Sequence, residues 1–132
     1  SSFANINVSE PNISNLYKGV QLIEVSLEEI AWGRSGDKGN KANIGIIARH
    51  PNLLPHIWDT FSEEKIVEIF SHFLENDKID RHYLPGISGV NYVLHDVLGG
   101  GGTTSLRNDP QGKGYAQVLL SCKISVPKNL LV

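Results

Sequence analysis

The sequence predicts an α+β domain, an antiparallel sheet with helices on one face, and three observations carry that prediction. One segment, Ser62–Leu74, repeats apolar residues at helical spacing. Several short runs alternate or are β-branched, as strands are. Glycine- and proline-bearing turns separate these runs at short intervals, so sequential strands return antiparallel.

The elements follow in order. Residues 1–19 are rich in Ser and Asn, carry no sustained period, and read as a linker or irregular arm, with the domain proper over 20–132. Val20, Leu22, Val25, Leu27 and Ile30 alternate imperfectly and predict a strand, bulged near Ile23–Glu24. The stretch AWGRSGDKGN then places glycines at 33, 36 and 39, which predicts an irregular loop. Asn43–Arg49 is a β-branched strand, stopped by Pro51. Leu53–Phe61 holds a short helix beginning near Pro55.

The helix over Ser62–Leu74 has Ser62 as N-cap and Glu63 and Glu64 in its first turn, where the helix dipole favours acid. Ile66, Ile69, Phe70, Phe73 and Leu74 form its apolar face. The charged residues Glu63, Glu64, Lys65 and Glu68 read as its solvated side. Lys78–Leu84 and Gly89–Leu98 predict strands around the Pro85-Gly86 turn. Over Tyr115–Val126, the alternation of Val118, Leu120, Cys122, Ile124 and Val126 favours a strand, although Ala116, Leu119 and Leu120 also fit a helix over Lys113–Ser121.

Composition narrows the function classes. At 132 residues with 40% hydrophobic and 20% charged residues, the chain suits one globular domain. A net charge of −2 selects neither nucleic acid nor an anionic membrane as partner. The single cysteine, Cys122, lies in an apolar run and reads as a buried, inert thiol. No apolar stretch approaches the roughly 20 residues that span a bilayer. No secretory signal opens the chain, so a cytoplasmic location is expected. The absence of Met and the Ser1-Ser2 start read as a piece of a longer polypeptide.

Two glycine-rich segments concentrate the candidate chemistry. Gly33-Arg34-Ser35-Gly36-Asp37-Lys38-Gly39-Asn40 combines glycines with a guanidinium fork, an ammonium and a carboxylate. Such a segment could hold a carboxylate or phosphate, with Arg34 and Lys38 binding and Asp37 moving a proton. A sharp strand connection with only local bonds is the alternative reading. Gly99-Gly100-Gly101-Gly102-Thr103-Thr104-Ser105, followed by Arg107, is the second; an unliganded tip is its alternative. His95 precedes it beside Asp96 and is a candidate acid or base, although neighbouring strand residues face opposite ways. A structural histidine is the other reading. Neither segment is a Walker or dinucleotide fingerprint, so no cofactor is called. The other histidines lack ligand spacing, so no metal is called. Trp32 and Trp58 read as core or interface aromatics.

These motifs carry a resemblance. Ala31–Gly45, with Trp32 inserted in the pattern, is similar to ARSGDKGNxANIG. Asn91–Asp96, Leu98–Thr103, Ser105-Leu106-Arg107, Asp109 and Gly112-Lys113 are similar to a second motif, LxGxGGGxxxSLRxDxxGK. Over about residues 22–124 the chain resembles the C-terminal ferredoxin-fold domain of the acyclic terpene utilisation protein A (AtuA)-like family. The resemblance implies a ferredoxin-like α+β sandwich appended to a larger N-terminal domain or subunit. It also implies a role in acyl-CoA pathways that degrade acyclic terpenoids and branched chains. Its motif positions, carried over, are Arg34, Ser35, Gly36, Lys38, Gly39, Asn40, Asn43, Gly99, Gly100, Gly101, Ser105 and Arg107 as substrate-binding candidates, with Asp37 and His95 as proton carriers. The expected partners are a small anionic substrate, the N-terminal domain and further copies of the chain. A non-catalytic docking or oligomerisation module is the alternative function.

Overall fold

The computed structural model describes residues 16–98 and 114–131. Six strands lie among these described residues, β1 (Leu22–Ser26), β2 (Ala31–Lys38), β3 (Lys41–Ala48), β4 (Ile79–Leu84), β5 (Gly89–Leu94) and β6 (Lys123–Pro127). Three α-helices accompany them, α1 (Leu54–Thr60), α2 (Glu63–Phe70) and α3 (Gly114–Leu120). An antiparallel sheet runs β2-β3-β5-β4, and β1 pairs with β6 in a separate ribbon. From β3 onward the order is strand, helices, two strands, helix, strand, the order of a ferredoxin-like fold. Here β6 leaves the sheet for β1, and β2 takes the edge beside β3.

Alternation decides which side of the sheet is core. On β3, Ala42, Ile44, Ile46 and Ala48 are buried, while Lys41, Asn43 and Ile47 are exposed. Val90, Tyr92 and Leu94 of β5 join the buried side, with Phe61, Ile66, Phe70 and Leu119 from the helical layer. The helices lie against this face, α3 on β2 and β3, α1 on β3 and β5, and α2 on β4. The opposite face carries no helix among the described residues, and it positions the site.

Ser62 caps α2 as expected, its hydroxyl accepting from the Lys65 amide at 3.2 Å. The helix ends at Phe70, earlier than the apolar pattern predicts, and a 3-10 turn, Ser71–Phe73, finishes the segment. The strand expected over residues 20–30 is confined to β1 and ends in a 3-10 turn, Leu27–Glu29, which buries Leu27. β5 ends at Leu94, four residues short of expectation, because the chain leaves the sheet so that Val97 bridges to Leu74.

Two expectations are corrected. The glycine-rich segment at 33–40 is not an irregular loop: Ala31–Lys38 is a strand paired with β3 along its length, and only Gly39 and Asn40 form the turn. Gly33 and Gly36 do not take a positive φ, whereas Gly39 does, at 64°. Gly33 is crowded by the ends of side chains packed over it. A Cβ there would lie 2.9 Å from Ile46 Cδ1 and 3.1 Å from Leu120 Cδ1, where α3 crosses β2. The second correction is Tyr115–Val126, which is helix and then strand. Tyr115, Ala116 and Leu119 are the buried face of α3. The Cys122 amide bonds the Leu119 carbonyl at 3.0 Å and closes that helix. The alternation holds only from Cys122 onward, where Ile124 and Val126 point inward from β6.

Burial raises the pKa of the Cys122 thiol, consistent with an inert group. No helix among the described residues is long and apolar enough to cross a membrane.

His56 of α1 is 2% exposed, edge-on to the Tyr17 ring at 5.1 Å, and its Nδ1 has no hydrogen-bond partner among the described residues. Burial lowers the imidazole pKa below its ordinary 6.5, against a smaller opposing pull from Asp59. The folded state therefore holds His56 neutral while the unfolded chain protonates it, so stability is lost as pH falls below 6.5. Denaturant melts at about pH 7.5 and about pH 5.5 check this. The loss between them is expected to be smaller in His56→Gln than in the wild type.

Candidate functional site

The open face of the sheet collects side chains from four strands in registered rows. Because β3 lies between β2 and β5, residues distant in sequence stand side by side. The first row is Trp32, Ile47, Gly89 and Leu84. The second is Arg34, Gly45, Asn91 and His82, and the third is Gly36, Asn43, Val93 and Asp80. His95, just past β5, follows on the same side.

The first row is apolar and the second polar. Trp32 is 54% exposed, Ile47 40% and Ile87 58%, unusual values for large apolar side chains gathered at one place. Arg49 stacks over the Trp32 ring at 4.6 Å and holds the indole at the sheet margin. Between Trp32, Ile47, Leu84 and Ile87 runs a groove of about 250 Å³ that reaches Arg34 and Asn91. Its floor at Gly45 and Gly89 is backbone. A shallower continuation passes Arg34, Gly36, Asn43 and Asn91.

The guanidinium of Arg34 thus stands on an exposed face beside the amides of Asn91 and Asn43. That set can hold a carboxylate or another oxyanion, with the guanidinium supplying charge and the amides supplying neutral donors.

Of the expected site residues, Arg34, Gly36 and Asn43 share this face. Ser35 and Asp37 alternate to the helix side of β2, opposite Ile44 and Ala42. Lys38 ends the strand and Gly39 makes the turn. Asn40 does not face the groove: its Nδ2 donates to Asp96 Oδ1 at 3.0 Å. Gly99, Gly100, Gly101, Ser105 and Arg107 lie outside the described residues.

His95 is paired with a residue that sequence reasoning missed. Its Nε2 lies 2.5 Å from Asp80 Oδ2, across the β4–β5 pair, and not with its neighbour Asp96. The hydrogen bond from His95 is the leading cause of an Asp80 pKa below the ordinary carboxylate range. A carboxylate on Nε2 fixes the ring orientation, the arrangement by which an imidazole is readied for proton transfer through Nδ1. Asp96 is a tie between loops. It accepts from Asn40 and, at 2.8 Å, from Asn76, while the Val97 amide bonds the Asn40 carbonyl. These bonds hold the β2–β3 turn against the chain leading to Leu98.

Asn91, His82 and Asp80 were not among the candidate site residues read from the sequence. Only the strand order brings them beside Arg34 and His95. Among the described residues no group of three or more His, Cys, Asp or Glu could hold a metal ion.

No significant match is found among curated proteins or among solved structures. The family model of the AtuA ferredoxin-like domain matches residues 25–125, from β1 to β6 and across all four strands of the open face, and the chain belongs to that family.

Proposed function

We propose that this domain contributes the anion-holding part of a site for an acyl-CoA or a related carboxylate. The domain acts within a larger cytoplasmic protein of acyl-CoA or acyclic terpenoid and branched-chain catabolism, alongside an N-terminal AtuA-type domain and as a homo-oligomer. The observation that carries this reading is Arg34, exposed on the open sheet face with Asn91 and Asn43 beside it, at the end of an apolar groove. A guanidinium so placed selects a planar oxyanion. The His95–Asp80 pair on the same face supplies a proton carrier for a hydration, dehydration or related acid/base step. Asp37, the other carrier offered by the family resemblance, stands on the helix side of β2 and does not share this face.

Trp32 reports on the groove, since its ring lines it and is half-exposed. Titration with acyl-CoA esters, free CoA and simple carboxylates is expected to change Trp32 fluorescence saturably. Arg34→Ala is expected to weaken carboxylate binding by about 1.5 kcal/mol, the low end for a charged hydrogen bond because the site is open to water. Unchanged affinity in that variant would remove the anion reading.

One observation favours a second reading, a docking module. Trp32, Ile47 and Ile87 present an exposed apolar cluster that a partner surface could cover. Sizing of the longer protein with this domain deleted separates the two. Lost assembly with retained activity supports docking, and retained assembly with lost activity supports the site.

A further inference from the structure

We infer that the groove beside Arg34 holds a slender apolar chain belonging to the same ligand, so that the domain reads a chain-bearing carboxylate and not a bare anion. This inference rests on the anion reading for the head group and adds what the rest of the molecule must be. The groove of about 250 Å³ is walled by Trp32, Ile47, Leu84 and Ile87, and among the described residues lining it Arg34 is the one charged side chain. No acid lines it. An anionic head with an apolar body is the ligand whose two parts match those two regions.

The width excludes bulkier occupants. Gly89 lies between Ile47 of β3 and Leu84 of β4, and Gly45 between Arg34 of β2 and Asn91 of β5. At each glycine the flanking strands therefore stand two strand spacings apart, roughly 10 Å between backbones, and side chains narrow that further. An α-helix is about 10–12 Å across with its side chains and does not enter. A single alkyl chain does. It would run from under Ile87, over the backbone at Gly89, to the Gly45 floor beside Arg34.

The floor can be filled without disturbing the sheet. Among the described residues, a Cβ at Gly45 meets nothing nearer than Asn91 Oδ1 at 3.8 Å and the Arg34 carbonyl at 4.0 Å, and one at Gly36 meets nothing within 4 Å. Gly45→Val therefore occupies the groove and keeps the fold, with β-branched strand propensity in its favour. Ile87→Ser removes a wall from a 3-10 turn outside the sheet.

The test is a series of straight-chain carboxylates from butyrate to dodecanoate, with uncharged decanol alongside, titrated into the protein by Trp32 fluorescence and calorimetry. Thermal melts of each variant verify folding. In the wild type, affinity is expected to rise about two- to fourfold per added methylene until the groove is full. Gly45→Val and Ile87→Ser are expected to flatten that rise, whereas Arg34→Ala lowers every carboxylate by a common factor. A rise that survives both groove variants overturns the chain site and leaves the anion reading standing if Arg34→Ala still weakens binding. Decanol binding that is lost in Gly45→Val, with Arg34→Ala silent, upholds the groove and overturns the anion reading. Failure of every probe to bind overturns both.

Discussion

Replacing Arg81 with alanine is expected to lower the unfolding free energy by about 3 kcal/mol, a large fraction of the 5–15 kcal/mol typical of a domain. Arg81 lies on the helix side of β4, its guanidinium 3.5 Å from the centre of the Trp58 ring. Its Nη1 donates to the Trp58 carbonyl at 2.5 Å and to the Phe61 carbonyl at 3.4 Å, so it closes the corner where α1 turns into α2. The Tyr92 hydroxyl, on a side chain with no exposed surface, donates to the same Phe61 carbonyl at 2.7 Å. Burial raises the Tyr92 phenol far above its ordinary value, so it remains a donor at any ordinary pH.

Hydrogen bonds to a charged donor contribute about 1.5–3 kcal/mol together with the cost of orphaning their acceptors, and the cation–π contact adds about 1 kcal/mol. The ion pair with Glu63 adds little, at 3.9 Å with a half-exposed partner. Urea unfolding of Arg81→Ala checks the magnitude. Arg81→Lys is expected to recover only a small part, because an ammonium cannot stack and fork at once. The effect is also expected to be non-additive with Tyr92→Phe, since both donors serve the Phe61 carbonyl.

Gly33→Val is expected to destabilise the domain by about 1–3 kcal/mol through overpacking. The new Cβ would press on Ile46 and Leu120, so α3 must shift away from β2 or Ile46 must leave its rotamer. Gly36→Val, three residues along the same strand, should cost nothing measurable or stabilise slightly, because it faces open space. Paired denaturant melts of the two variants check this contrast. Equal destabilisation by both would mean that the strand needs glycine for backbone reasons instead.

That contrast also explains what could be read from the residues alone. β3 is legible as a β-branched run, β4 and β5 as runs flanking the Pro85-Gly86 turn, and α2 by its cap and its apolar spacing, because these signals are written locally. Ala31–Lys38 hides its strand. Its glycines answer to α3 crossing above at Gly33 and to an open groove at Gly36, and both reasons are tertiary. Tyr115–Val126 misleads because a helix and a strand follow within one window, and Leu120 fits both periods.

Within the site, Arg34 was legible as a residue type in an unusual segment, and Asn43 as a motif position of the family resemblance. Asn91 was not, since it joins Arg34 only through the Gly45 register. His95 and adjacent Asp96 were expected to face opposite ways, and the structure sends Asp96 to Asn40 and Asn76 and pairs the imidazole with Asp80. A carboxylate fifteen positions away is closer than one next door.

The measurement that tests the central claim most directly is amide chemical-shift mapping of the ¹⁵N-labelled protein during titration with dodecanoate. The account predicts saturable shifts confined to the open face, at Trp32, Arg34, Asn43, Gly45, Gly89 and Asn91, with α1 and α2 silent. Shifts centred on the helical face, around His56 to Phe70, would contradict it, as would saturable binding that leaves Arg34, Gly45 and Asn91 unmoved.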